Sequence, residues 1–261
     1  MRHFADADVC HDYMRALKFP PGAACPKCGH TELSEVKTRR LIRCKGCRKM
    51  FSAKVGTIFE DSPLPLSSWF VAVWCIANMK NGISSCELAR ALGIRQPSAW
   101  FMLHRIRTAM RTKTFKKLSG EVESDETFVG GKSANMHEDK REQAIQGRGP
   151  VGKAIVHGVL QRGDAEKKTK SQVVAAVVSG RVHTNGLENF WSLLKRGLRG
   201  TYIRPSAFHL QKYVDEQVFR FNERGRSDAG RFRLLMEWLI GRRVTYRQLC
   251  MVDGCGFMGI E

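Results

Sequence analysis

Four cysteines carry the most specific chemistry in this chain. Cys25-Pro-Lys-Cys28 and Cys44-Lys-Gly-Cys47 are two C-x-x-C turns separated by fifteen residues. Each turn sets both sulfurs on one side of a backbone loop. Two such turns, brought together by a hairpin, make a tetrahedral sulfur cage for structural Zn²⁺. A segment this short has little core, so metal binding would supply much of its folding free energy. A redox dithiol would need only one such turn. Of the nine cysteines, Cys10, Cys75, Cys86, Cys250 and Cys255 stand apart from this pattern. Cys75 and Cys86 lie in apolar or helical surroundings and read as packing residues.

The second set is acidic. Asp125 is centred in the strand-like run Val122-Glu-Ser-Asp-Glu-Thr-Phe-Val129. Alternation puts Val122, Ser124, Glu126 and Phe128 on one face and Glu123, Asp125 and Thr127 on the other. An acid there is costly unless it binds a cation or faces an open site. Downstream, Glu188 and Lys195 are seven residues apart in a helical pattern, so two turns bring them to one face. Phe190, Trp191 and Leu194 are expected to pack away from that face. One carboxylate on a strand and one on a helix can jointly hold Mg²⁺ or Mn²⁺ for phosphodiester chemistry. A solvated Glu–Lys pair is the plainer alternative.

The elements that must position these groups follow from breakers and periodicity. Residues 1–20 read as a short helix ended by Phe19-Pro-Pro-Gly22, and 23–55 as a turn-rich ribbon. Residues 64–118 are helical by apolar spacing. Within them Ser84 or Ser85 caps a helix that ends at Gly93, and a second helix starts near Pro97. Leu88, Leu92, Ile94, Ala99 and Met102 are spaced to pack the pair, with Ala89 small enough to admit close approach. This is the pattern of a helix-turn-helix, in which Gln96, Ser98, His104, Arg105 and Arg107 would lie on or near the exposed, DNA-reading face. Strands are expected at 120–130, Ala154–Leu160 and Gln172–Val178, and helices over 183–250.

Lys plus Arg is 44 against 25 Asp plus Glu, a formal net charge of +19. That excess attracts a phosphate backbone more strongly than any other partner. The first residues mix charges with apolar side chains, unlike a secretory signal. The longest apolar run, Trp69–Met79, is too short to cross a bilayer. Gly147-Arg-Gly-Pro-Val-Gly-Lys-Ala154 imitates a nucleotide-binding P-loop, but Ala154 replaces the Mg²⁺-holding hydroxyl and Pro150 removes an amide donor. The segment also precedes a strand, which argues against ATP.

In combination and in order, the ribbon, FSAKVGTIFEDSPLPLSSWF, GISSCELARALGIRQPSAWFMLHRIRTAM, VESDETFVGGK and VHTNGLENFWSLLKRGLRGTY… resemble the zinc-ribbon insertion-sequence transposases of the DDE, ribonuclease-H-like type, the ISXO-like group. The resemblance implies a catalytic trio: an Asp on the first strand, an Asp at the end of the fourth, and a Glu or Asn on a later helix followed by Lys. Asp125 matches the first, Glu188 the third with Asn185 as a second candidate, and Lys195 the basic residue. The second Asp has no match, because Val178 is followed almost at once by the HTN block, too close for a helix and a strand. An internal deletion is the expectation. The implied architecture is an α+β multidomain chain. It comprises residues 1–60 with the zinc ribbon, a helix-turn-helix region at 61–118, a truncated ribonuclease-H-like α/β domain at 119–250 and a tail at 251–261. The implied setting is the cytoplasm, on the nucleoid, as a homo-oligomer on double-stranded transposon-end DNA with no membrane. Catalysis is expected to be impaired. A zinc-ribbon DNA-binding protein without chemistry is the alternative.

Overall fold

The computed structural model describes residues 2–111, 122–130, 153–161, 172–178, 187–202, 205–245 and 248–249. It has small antiparallel sheets among helices and divides into two compact units. One comprises Met1–Ile76, Ser85–Ala109 and Ala229–Glu261, the other Ala77–Ser84 and Met110–Asp228. The stretch from Ala229 groups with the front of the chain.

In the first unit, α1 (Ala7–Lys18) starts at Asp6, whose side chain accepts from the Asp8 N–H at 2.8 Å. The ribbon sheet follows, β1 (Leu33–Val36), β2 (Leu41–Cys44) and β3 (Met50–Phe51), all antiparallel in that order. Arg40 in the β1–β2 turn reaches back to Asp8 at 2.6 Å, and Arg15 to Glu35 at 3.4 Å, tying ribbon to helix. Helices α2 (Leu66–Asn78), α3 (Ser85–Leu92) and α4 (Gln96–Met110) come next. The last helix, α7 (Asp228–Leu239), closes the unit: Phe232 lies 5.9 Å from Phe70 and 5.6 Å from Phe4 by ring centroid. An isolated bridge pairs Thr57 with Ile240. Trp69, Phe70, Leu88, Ala99, Met102, Ile106 and Leu235 are fully or nearly fully buried. Removing each large apolar side chain from water contributes about 1.5–3 kcal/mol. Leu88, Ala89, Ala99 and Met102 are all buried, and Gly93 adopts φ +63° in the turn between α3 and α4.

In the second unit, β4 (Val122–Val129), β5 (Ala154–Gln161) and β6 (Gln172–Val178) form an antiparallel meander, β4-β5-β6. Ala154 opens β5, so the P-loop imitation does lead into a strand; residues 147–152 lie outside the described residues. Helices α5 (Glu188–Arg196) and α6 (Ala207–Asn222) follow, separated by a π-helical turn, Gly197–Thr201. They build a core with Val156, Val173, Ala175, Phe190, Trp191, Leu194 and Phe221 on one face of the sheet. The face they cover is the Glu123–Asp125–Thr127 side: Thr127 is buried, while Val122 and Phe128 on the other side are 44% and 40% exposed. The β6 edge, which a missing strand would leave bare, is held by side-chain amides. Asn222 pairs with both the N–H and the carbonyl of Val173, at 2.8 and 2.9 Å, and Gln211 donates to the Ala175 carbonyl at 3.3 Å.

Candidate functional site

The four ribbon cysteines converge as their spacing requires. Their Sγ atoms lie within 4.8 Å of one another, with Cys25–Cys47 at 3.9 Å and Cys28–Cys44 at 3.5 Å. A tetrahedron with Zn–S bonds of about 2.3 Å has sulfur–sulfur edges of about 3.8 Å, so the donor set fits Zn²⁺. The first knuckle is built by the Gly29 N–H donating to the Cys25 carbonyl at 2.9 Å and the Lys27 N–H to Cys25 Sγ at 3.4 Å. Each knuckle ends on a left-handed residue immediately after its second cysteine: Gly29 at φ +75° and Arg48 at φ +57°. Glycine takes that conformation freely and arginine does so under strain. Burial raises the Cys25 thiol, but the backbone N–H groups of Lys27 and Cys28 and the neighbouring sulfurs outweigh it and bring it to about 7. At Cys28 the His30 N–H pulls down, yet burial and the surrounding sulfurs push it up to about 11. Cys25 gives up its proton easily and its charge helps hold the proton of Cys28 until a cation displaces it.

The residues expected on or near the exposed face of α4 divide by burial. Gln96 and Ser98 are exposed in the first turn of α4, with Gln96 Nε2 donating to Ser85 Oγ at 2.7 Å. His104, Arg105 and Arg107 are 0%, 4% and 1% exposed, so the expectation that they lie on the exposed face is corrected. The segment after α7 covers this part of α4. Arg105 donates to the Val244 carbonyl through Nε and Nη2, at 2.8 and 2.6 Å, and to the Glu60 carbonyl at 3.0 and 3.1 Å. Its guanidinium lies over the rings of Phe101 and Trp69, and Arg242 donates to the Ala109 carbonyl at 2.5 Å. The exposed cations beside the α3–α4 turn are Arg90 and Arg95, which reading by helical period missed. Arg95 directly precedes the helix start that Pro97 marks, a signal that could have found it. Cys86 is exposed, against the packing role expected of it.

Of the acidic set, Asp125 pairs across the sheet with Gly158, and its Oδ2 accepts from Trp191 Nε1 at 2.8 Å. Phe190, Trp191 and Leu194 are all buried, away from the exposed Glu188, and the indole N–H of Trp191 meets Asp125. Glu188 is exposed at the first turn of the same helix, and Lys195 is half-buried near its end. Asn185 lies outside the described residues. Among the described residues the cysteine cage is the only group of three or more metal-ligating side chains, so no carboxylate cluster for two Mg²⁺ ions is assembled there, and Asp125 and Glu188 alone do not fit that requirement.

Residues 5–50 match the family profile described as a transposase zinc-ribbon domain, and residues 175–222 match an ISXO2-like transposase domain. The second match contains Glu188, Lys195 and Asn185; Asp125 precedes it. A protein described as an uncharacterized protein in transposable element ISH50, from Halobacterium salinarum, is 26% identical over 136 residues, 51% of this chain and 44% of its own length. The chain thus spans less than half of that relative. No solved structure matches the chain. Over these stretches the chain is similar to zinc-ribbon insertion-sequence transposases. No helix among the described residues is long and apolar enough to cross a membrane.

Proposed function

We propose that this protein is a transposase-type DNA-binding protein whose front unit grips duplex DNA and whose nuclease-type unit has lost strand cleavage and transfer. The observation that carries the binding half is the exposed group Arg90, Arg95, Gln96 and Ser98 around the α3–α4 turn. A helix entering the major groove presents its N-terminal residues to base edges, and arginines beside it meet phosphates, the docking mode of a helix-turn-helix. The ribbon adds Lys37, Arg39, Arg43, Arg48 and Lys49, all exposed. The formal charge of +19 favours the same partner.

The loss of catalysis is supported by the acids. A DDE-type reaction uses carboxylates that bridge two cations about 3.5–4 Å apart. A truncated ribonuclease-H-like domain would offer Asp125 and Glu188, with Asn185 as an alternative, and Lys195 beside the phosphate, but no second Asp. Losing one such charge-stabilising group costs roughly 10²–10³ in rate.

The test is a mobility shift of duplex DNA by the full chain at a series of salt concentrations, with a nicking assay in Mn²⁺ alongside. Binding is expected to fall steeply with salt as counterions are released. Absence of a shift at low salt refutes the DNA-binding reading. Nicking that disappears in both Asp125→Ala and Glu188→Ala refutes the loss of catalysis. The full chain is the right material, because α7 completes the first unit's core and a fragment ending at residue 118 would bare Phe70 and Phe4.

A further inference from the structure

We propose that the hydrogen bond from Trp191 to Asp125 is the latch that docks α5 onto the sheet, and that Asp125 serves in this chain as a hydrogen-bond acceptor and not as a cation ligand. This rests on the reading above that the cleavage site is incomplete.

Three observations converge. First, Trp191 is 5% exposed, and a buried indole N–H must find an acceptor; its acceptor is Asp125 Oδ2 at 2.8 Å. Second, the ring has a seat made for it. Gly158 faces Asp125 directly across the β4–β5 ladder, and a Cβ there would stand 2.7 Å from Cη2 and 2.8 Å from Cζ2 of Trp191. Only a residue without a side chain lets the indole lie flat beside the strand and reach the carboxylate. Third, a mid-strand acid facing a packed helix needs a partner, and the described residues offer no group of acids around it that would gather a cation. The indole supplies that partner, and the strand acid thereby becomes part of the helix–sheet contact. Glu188 stands one turn before Trp191 on the same helix, so the latch also fixes where that carboxylate stands.

A latch of this kind needs an acceptor oxygen, not a charge. Asp125→Asn keeps the oxygen, whereas Asp125→Ala removes it. The experiment follows the indole N–H resonance of Trp191 in the isotope-labelled full chain, assigned by its loss in Trp191→Phe. Asp125→Asn is expected to keep that resonance protected from exchange, with a Tm within about 2 °C of the parent. Asp125→Ala should move it to the solvent-exposed position and lower Tm by roughly 3–8 °C. Millimolar MnCl₂ should leave it sharp in the parent chain. Three results each overturn the proposal: Mn²⁺ broadening in the parent that vanishes in Asp125→Asn, equal loss of protection in Asn and Ala variants, or an unmoved resonance in Asp125→Ala. These readouts need neither DNA nor turnover, so failure of DNA binding is a separate result.

Discussion

The guanidinium of Arg105 on α4 donates to the backbone carbonyl of Val244, 139 residues further along the chain, at 2.8 Å through Nε and 2.6 Å through Nη2. With 4% exposure it is a structural clamp between α4 and the segment after α7. Burial pushes its pKa down, while the two carbonyls it serves take four hydrogen bonds from the charged form. Arg105→Ala leaves the Glu60 and Val244 carbonyls without their donor and opens a void. The expected cost is about 2–4 kcal/mol in chemical denaturation.

The exposed pair behaves oppositely. Arg90→Ala and Arg95→Ala should change stability by no more than about 0.5 kcal/mol while weakening duplex DNA binding and flattening its salt dependence. Denaturation curves and mobility shifts on the same preparations separate the two kinds of arginine. Unchanged DNA affinity in the Arg90→Ala, Arg95→Ala double variant would count against the surface proposed for α3–α4.

Metal analysis of the purified chain should give about one Zn²⁺, lost in Cys28→Ser. Arg48 offers a gain: at φ +57° it occupies the position that Gly29 fills in the other knuckle. Arg48→Gly should relieve the left-handed strain and stabilise the zinc-loaded ribbon by about 1 kcal/mol, read as resistance to chelation. A drop in resistance would mean that the arginine side chain holds more than its backbone strain costs.

Asp215 on α6 carries a pH signature. Burial raises its pKa from the ordinary value to about 6, against the Gln211 hydrogen bond and the pull of Arg111. The folded state therefore binds a proton that the unfolded chain has already released between about pH 4 and 6, so stability falls as pH rises through that window. Asp215→Asn keeps an acceptor for Gln211 and removes the charge. It should raise stability by roughly 1–3 kcal/mol at pH above 7 and change little near pH 4. Equal effects at both pH values would contradict this account.

Asn222 caps the β6 edge through both amide atoms. Asn222→Ala orphans the N–H and carbonyl of Val173, a residue with 0% exposure, at an expected cost of about 1–3 kcal/mol. An unpaired strand edge also templates association, so the variant should aggregate faster on heating, measured by light scattering.

The sequence by itself determined the parts whose chemistry is local. Two C-x-x-C turns at ribbon spacing can do little else than converge, and they do. Alternation located the strands Val122–Val129 and Gln172–Val178, and helical period found the buried stripe of Phe190 and Leu194. What it could not decide was which partner meets an amphipathic side chain. Arginine and histidine have apolar bodies and polar ends, so helical period alone cannot say whether His104, Arg105 and Arg107 face water or a distant carbonyl. For Arg105 the answer is the carbonyl of Val244, on the chain's return after Leu239. Trp191 is the same case: its ring belongs to the apolar stripe, while its single N–H points to Asp125, because Gly158 leaves the space for it. The grouping of Ala229 onward with the front unit was beyond any linear reading, since it rests on Phe232 meeting Phe4 and Phe70, aromatic contacts whose sequence separation erases every local signal.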